Sequence, residues 1–200
     1  MKLLLTTLTL AALSFGLNGA ASAATQTLDI SNPGPGSTYW TPDDASKYSA
    51  PYYRWNGEDW QWQFNAVAGS ITDASVSISA FDVDADWGEH DDIYGWNNDT
   101  SSWDLLGSLA GASDIWSFTS FDLASSWHDE VNAGLKVKIV IDSLNAGWAV
   151  ALAKSSLIAN GGTLPNPNPG AVPVPAAVWL FSSALAGLGV FGKRRKAIEA

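Results

Sequence analysis

LKVKIVIDSL, residues 135–144, decides the fold. Leu135, Val137, Ile139 and Ile141 fall on one side of an extended chain; Lys136, Lys138, Val140 and Asp142 fall on the other. A period of two marks a strand with one face in the core. The pattern recurs outward in both directions. DWQWQF, residues 59–64, sets Trp60, Trp62 and Phe64 against Asp59, Gln61 and Gln63. SITDASVSISAF, residues 70–81, sets Val76, Ile78 and Ala80 against serines. DIYGWNND and SSWDLLGSL, residues 92–99 and 101–109, read as the arms of a hairpin. DIWSFTSFDL, residues 114–123, alternates until Phe118 and Phe121 change parity, which predicts a bulge or turn near Ser120. GWAVALAKSSLI, residues 147–158, is apolar enough for a central strand, and SSWHDEVNAG, residues 125–134, suits one helical turn. Six to eight short strands separated by turn signals predict an all-β, antiparallel sandwich of jelly-roll type over residues 58–163. Residues 24–57, rich in Asn, Pro, Gly and Ser, read as a loop-rich segment before it, with Trp40 outside the globular part.

Both ends look like processing signals. Residues 1–23 carry Lys2, an apolar stretch and Ala21-Ser22-Ala23, the pattern that a signal peptidase cuts. LPNPNPG is part of a Pro/Asn linker, residues 164–171. The chain then reads VPVPAAVWLFSSALAGLGVFGKRRK, residues 172–196. Its apolar run of eighteen residues, Val174 to Phe191, is at the short end of what spans a bilayer. Lys193, Arg194, Arg195 and Lys196 follow as a basic end that would stay cytoplasmic.

That order of proline motif, helix (about residues 175–191) and basic cluster resembles the PEP-CTERM sorting signal of Gram-negative bacteria. Val172, Pro173, Val174, Pro175 and Ala176 match its Val-Pro-x-Pro-Ala variant, with Val174 where the usual form has Glu. The resemblance implies export through the inner membrane, transient anchoring by the helix and processing by an exosortase. It further implies a place at the cell surface or in an exopolysaccharide biofilm matrix.

Removing both ends leaves five basic against nineteen acidic side chains, a net charge of −14. Such a chain repels phosphate backbones, so no nucleic-acid partner is expected. The absence of cysteine excludes disulfides, thiolate metal sites and cysteine nucleophiles.

The acids concentrate in FDVDADWGEHDDIYG, residues 81–95. Asp82, Asp84 and Asp86 are expected along one face of a strand end, with Glu89 and Asp91 after the Gly88 turn. Oxygen ligands in this number suit a structural Ca2+; the other reading is a solvated acidic loop. The sequence is not an EF-hand, since Trp87 holds the sixth position. Residues 58–160 also resemble a jelly-roll, carbohydrate-binding-like module of secreted bacterial proteins. DASVSISAFDVD, GEHDDIYGWN, LLGSLAG, WSFTSFDL, LKVKIVIDS and GWAVALAKSSL follow its order, and some such modules hold structural calcium. Lys154 stands where that module often has an acid, and Gly95-Trp96-Asn97 replaces its commoner Asn-Gly turn.

Trp96, Trp103 and Trp127 lie in polar surroundings and are candidates for stacking on sugar rings, with local packing the other reading. Trp60, Trp62, Trp116 and Trp148 lie in strand patterns and are expected in the core. Catalytic material is thin: His90 and His128 are the only histidines, Gly-x-Ser-x-Gly is absent, and no carboxylate pair stands out. The chain is therefore expected to be a non-enzymatic surface or matrix protein. It would either contact exopolysaccharide through a calcium-stabilised sandwich or serve purely as structure.

Overall fold

The computed structural model describes residues 20–144 and 146–163. Residues 1–19 of the expected signal peptide, the expected linker and the expected sorting signal, with Val172, Pro173, Val174, Pro175, Ala176 and the basic end, lie outside the described residues. Among the described residues no helix is long and apolar enough to cross a membrane.

Nine strands build two antiparallel sheets that face each other as a sandwich: β1 (Ala24–Leu28), β2 (Tyr53–Trp55), β3 (Trp60–Gln63), β4 (Ala74–Phe81), β5 (Asp92–Asn97), β6 (Ser102–Ser108), β7 (Trp116–Leu123), β8 (Lys136–Val140) and β9 (Ala149–Ala159). One sheet runs β1-β9-β4-β7, with β2 also on β9; the other runs β3-β8-β5-β6. β9 is eleven residues long and serves both N-terminal strands along the edge that β4 leaves free. β1 pairs with its residues 155–159 and β2 with residues 149–151, so the two act as one interrupted strand. From β2 onward every connection crosses between the sheets except the β5–β6 hairpin. The chain is wound in this way in a double-sheet jelly roll.

Alternation explains the core. Leu135, Val137, Ile139 and Ile141 are all buried, and so are Trp60, Trp62, Phe64, Val76, Ile78 and Ala80. The short helix α1 (His128–Ala133) brings Val131 onto them. Trp40 is a correction to the sequence reading. It lies within the core, 2% exposed, with ring centroids 4.6 Å from Trp60 and 5.1 Å from Trp62. Its segment is held by the Thr41 amide, which donates to the Leu152 carbonyl at 2.8 Å. A lone Trp among loop residues has no periodicity to announce this burial.

Three further expectations change. β7 pairs with β4 in unbroken register, so no bulge or turn lies near Ser120; Phe121 faces the core and Phe118 the other side. The irregularities fall instead between Ser79 and Ala80 on β4 and between Ile93 and Tyr94 on β5. Ser77 and Ser79, set against the core side by alternation, are nevertheless buried, because β4 is an interior strand with a neighbour on each side. Ser77 shares a 2.9 Å hydrogen bond with Ser120 there. Trp116 and Trp148 are only part-buried.

Candidate functional site

Two places in the sandwich gather chemistry. The first is the outer face of the four-stranded sheet. Because Trp60, Trp62, Val137 and Ile139 point inward, the alternate residues Gln61, Gln63, Lys136 and Lys138 point outward. Register aligns Gln61 with Lys138 and Gln63 with Lys136, then Lys138 with Tyr94, and Trp96 with Trp103. Trp96 and Trp103 meet edge to face, with centroids 5.4 Å apart. The Lys138 ammonium stands 4.9 Å from the Tyr94 ring centre and 5.0 Å from that of Trp103, and Lys136 stands 6.0 Å from Trp96.

Beside these side chains the 33–36 loop lies down along β3. The Gln63 amide donates to the Pro35 carbonyl at 3.0 Å. Gly36, at φ 110°, makes this approach possible, since a Cβ there would come within 2.8 Å of the Gln61 carbonyl oxygen. The result is a groove of about 440 Å³ lined by Pro35, Gly36, Gln61, Gln63, Trp96, Trp103 and Lys136. Smaller hollows continue it at both ends: one reaches Tyr39, Asp59 and Lys138, the other Asn98, Glu130 and Gly134. An open groove with aromatic and amide walls suits part of a chain molecule.

Trp127 does not join this face. Its ring carbons lie where a Cβ on Gly95 would be, 2.7 Å away, on the inward side of β5. The structure therefore brings Trp96 and Trp103 together and makes Trp127 part of the packing beneath them.

The second place is the acid pocket. β4 ends at Phe81, and Asp82 turns the chain at φ 63°, so the three aspartates do not share a strand face. Both Asp82 oxygens are engaged: Oδ2 accepts the Tyr53 hydroxyl at 2.6 Å and Oδ1 the Asp114 amide at 2.7 Å. That contact and burial raise the Tyr53 hydroxyl pKa, burial most. Asp86 stands exposed on the turn Ala85–Trp87. Asp84, Glu89 and Asp91 are buried, and Asp142, which the sequence did not single out, joins them from the end of β8.

Glu89 Oε2 accepts the Asp84 amide at 2.6 Å, and Asp91 Oδ1 accepts the Asp142 amide at 3.0 Å. Asp142 Oδ2 accepts the amides of Gly147 and Trp148. Among the described residues, Asp84 Oδ1, Glu89 Oε1, Asp91 Oδ2 and Asp142 Oδ1 are buried with no hydrogen-bond partner. Burial, then the charge of Asp91, pushes the Glu89 carboxyl up to about 8. Burial pushes Asp91 up to about 7, with the charge of Asp142 adding to it. Burial, then Asp82, raises Asp84 as well. Among the described residues no group of three or more carboxylate or imidazole side chains is arranged to hold a metal ion as it stands.

The outward lysines and glutamines were visible as polar positions in alternating strands, but their convergence with Trp96 and Trp103 depends on register. Asp142 had no acidic neighbour in sequence to mark it.

No family model and no curated protein matches this chain. Solved structures with a similar arrangement include CBM35 from Cellvibrio japonicus Abf62, at 13% identity and TM-score 0.40, covering 70% of this chain and 95% of that one. The xylan-binding module CBM15 matches at 17% identity and TM-score 0.38, over 71% of this chain and 100% of its own. The K1 cleaved adhesin domain of Lys-gingipain from Porphyromonas gingivalis W83 matches at 12% and 0.36, over 72% and 100%. These are distant likenesses of fold, and nothing functional is taken from them.

Proposed function

We propose that this chain is an exported, non-enzymatic protein of the cell surface or biofilm matrix that contacts exopolysaccharide through the outer face of its four-stranded sheet. The observation that carries the reading is the Trp96–Trp103 pair standing over a groove that Gln61 and Gln63 also line. Aromatic rings offer flat apolar area to the C–H faces of sugars, and side-chain amides can both donate to and accept from their hydroxyls. Calorimetry of the secreted protein against the producing cell's own exopolysaccharide tests this. Trp96→Ala with Trp103→Ala should weaken binding by about 2 kcal/mol or more, roughly thirtyfold, as for hot-spot aromatics. An unchanged affinity would move the ligand elsewhere; no binding by the parent protein would leave a purely structural matrix role.

The export route rests on residues 1–23 and 172–196. Mass spectrometry of the secreted protein should find a mature C-terminus near Pro175; an intact Lys196 would leave an ordinary membrane anchor.

The reading includes a structural Ca2+ in the acid pocket. The four orphaned, buried carboxylate oxygens support it, because unpaired buried acid oxygens are costly unless a proton or cation neutralises them. Asp84, Glu89, Asp91 and Asp142 would hold the ion. Bound there, it would tie the β4–β5 connection to the β8–β9 connection.

A further inference from the structure

Resting on the glycan-contact reading, we infer that the groove's ligand is an acidic polysaccharide, one bearing carboxylates along its chain, and that Lys136 and Lys138 select it. Residues 20–163 contain only five basic side chains, Lys47, Arg54, Lys136, Lys138 and Lys154, among nineteen acidic ones. Lys47 is paired with Asp44 at 3.0 Å. Arg54 lies 3.7 Å over the Tyr39 ring and donates to the Glu58 carbonyl. Lys154 lies on β9, in the other sheet. Among the described residues Lys136 and Lys138 form no ion pair, and both stand over aromatic rings instead.

Their placement follows the groove. As residues i and i+2 of β8 they share the outward face, about 6.6 Å apart along the strand. Lys136 lines the central groove and one end hollow; Lys138 lines the other. A chain lying along β3 and β8 would meet one ammonium after the other. Two carboxylates border the same hollows, and both are held by backbone. Asp59 accepts the Ile141 amide at 3.0 Å, and Glu130, itself buried, accepts the Asn98 amide at 3.1 Å. Ligand carboxylates would give these two ammonium groups charge-assisted hydrogen bonds, which are stronger than those from the hydroxyls of a neutral glycan. On a domain of net charge −14 a polyanion is repelled in general, so its binding needs a local exception, and this face provides one.

The test compares alginate with carboxyl-reduced alginate, a neutral polymer of the same linkage, by calorimetry on the secreted protein at low and high salt. Alginate should bind about tenfold tighter at low salt, with the preference fading at high salt. Lys136→Gln with Lys138→Gln should abolish the preference, and Lys136→Arg with Lys138→Arg should restore it. Equal binding of the two polymers, or a preference that survives the glutamine pair, overturns the acidic-ligand inference and leaves the glycan surface standing. Binding of neither polymer, where the producing cell's own exopolysaccharide does bind through Trp96 and Trp103, overturns it in the same way. Tighter binding of single-stranded oligo(dT) than of alginate would assign the face to a different class of polyanion and overturn both.

Discussion

Adding one methyl group at Gly95 separates packing from binding at the tryptophan face. A Cβ there would sit 2.7 Å from two ring carbons of Trp127, whereas carbon atoms rest about 3.5–4.0 Å apart. Something must move by close to 1 Å. β5 is clamped between β8 and β6, so the indole must yield rather than the strand. Overpacking of this kind costs about 1–3 kcal/mol. Replacing Gly within a strand returns about 0.5–1 kcal/mol of backbone entropy. Gly95→Ala should therefore destabilise by up to about 2.5 kcal/mol. In a Trp127→Ala background the clash is gone and only the backbone gain remains, so the same substitution should become neutral or stabilising. Urea unfolding of the four proteins of this cycle, followed by far-UV circular dichroism, gives the coupling energy, expected at about 1–3 kcal/mol. Polysaccharide affinity should change little in Trp127→Ala, because that ring packs beneath β5. An identical cost of Gly95→Ala in both backgrounds would refute the placement of Trp127. So would loss of glycan binding in Trp127→Ala with stability intact.

The remaining expectations concern the acid pocket and the core. Ca2+ at about 100 times its dissociation constant should raise stability by about 2.7 kcal/mol in thermal melts; Asp142→Asn should remove most of that gain, and an equal shift in both proteins would place the ion elsewhere. Without calcium, stability should fall as pH rises from about 4, where these acids titrate in the unfolded chain, towards 8. The folded pKa values of Glu89 and Asp91 lie above the unfolded ones, so their favourable protonation is complete at low pH and is lost as pH passes through about 7 and 8. Saturating calcium should flatten this slope, and a calcium-free profile that rises over the same window would contradict the burial of the pair. Trp62→Ala should cost about 3–5 kcal/mol in denaturant melts, since its buried ring touches both Trp40 and Trp60; a loss under 1 kcal/mol would mean that this cluster is not the core.

Local pattern was enough to read the strands, because side-chain direction along an extended chain is set by parity alone. LKVKIVIDSL and DWQWQF show their inward residues without any knowledge of neighbours, and SSWHDEVNAG shows its helical turn. The N-terminal strands were not legible. β1 and β2 are short edge pieces whose strand partner is β9, more than ninety residues later in the chain. Of the acids, Glu89, Asp84 and Asp91 could be named because they crowd one stretch, but crowding does not say which of them face inward. Asp82 is spent on Tyr53 and Asp114, and Asp86 is turned to solvent.

The sequence by itself determined an acidic, cysteine-free, antiparallel β domain between two apparent processing signals, since composition and period two are properties of the chain alone. Tertiary structure decided which polar residues meet. Strand register brought Gln61, Gln63, Lys136 and Lys138 beside Trp96 and Trp103, and it packed Trp127 beneath them against Gly95. Asp142 reached Asp91 in the same way, across fifty-one positions of sequence. Register is set by the burial of the opposite, apolar face, so the composition of the outer face is fixed by contacts that no outward residue makes.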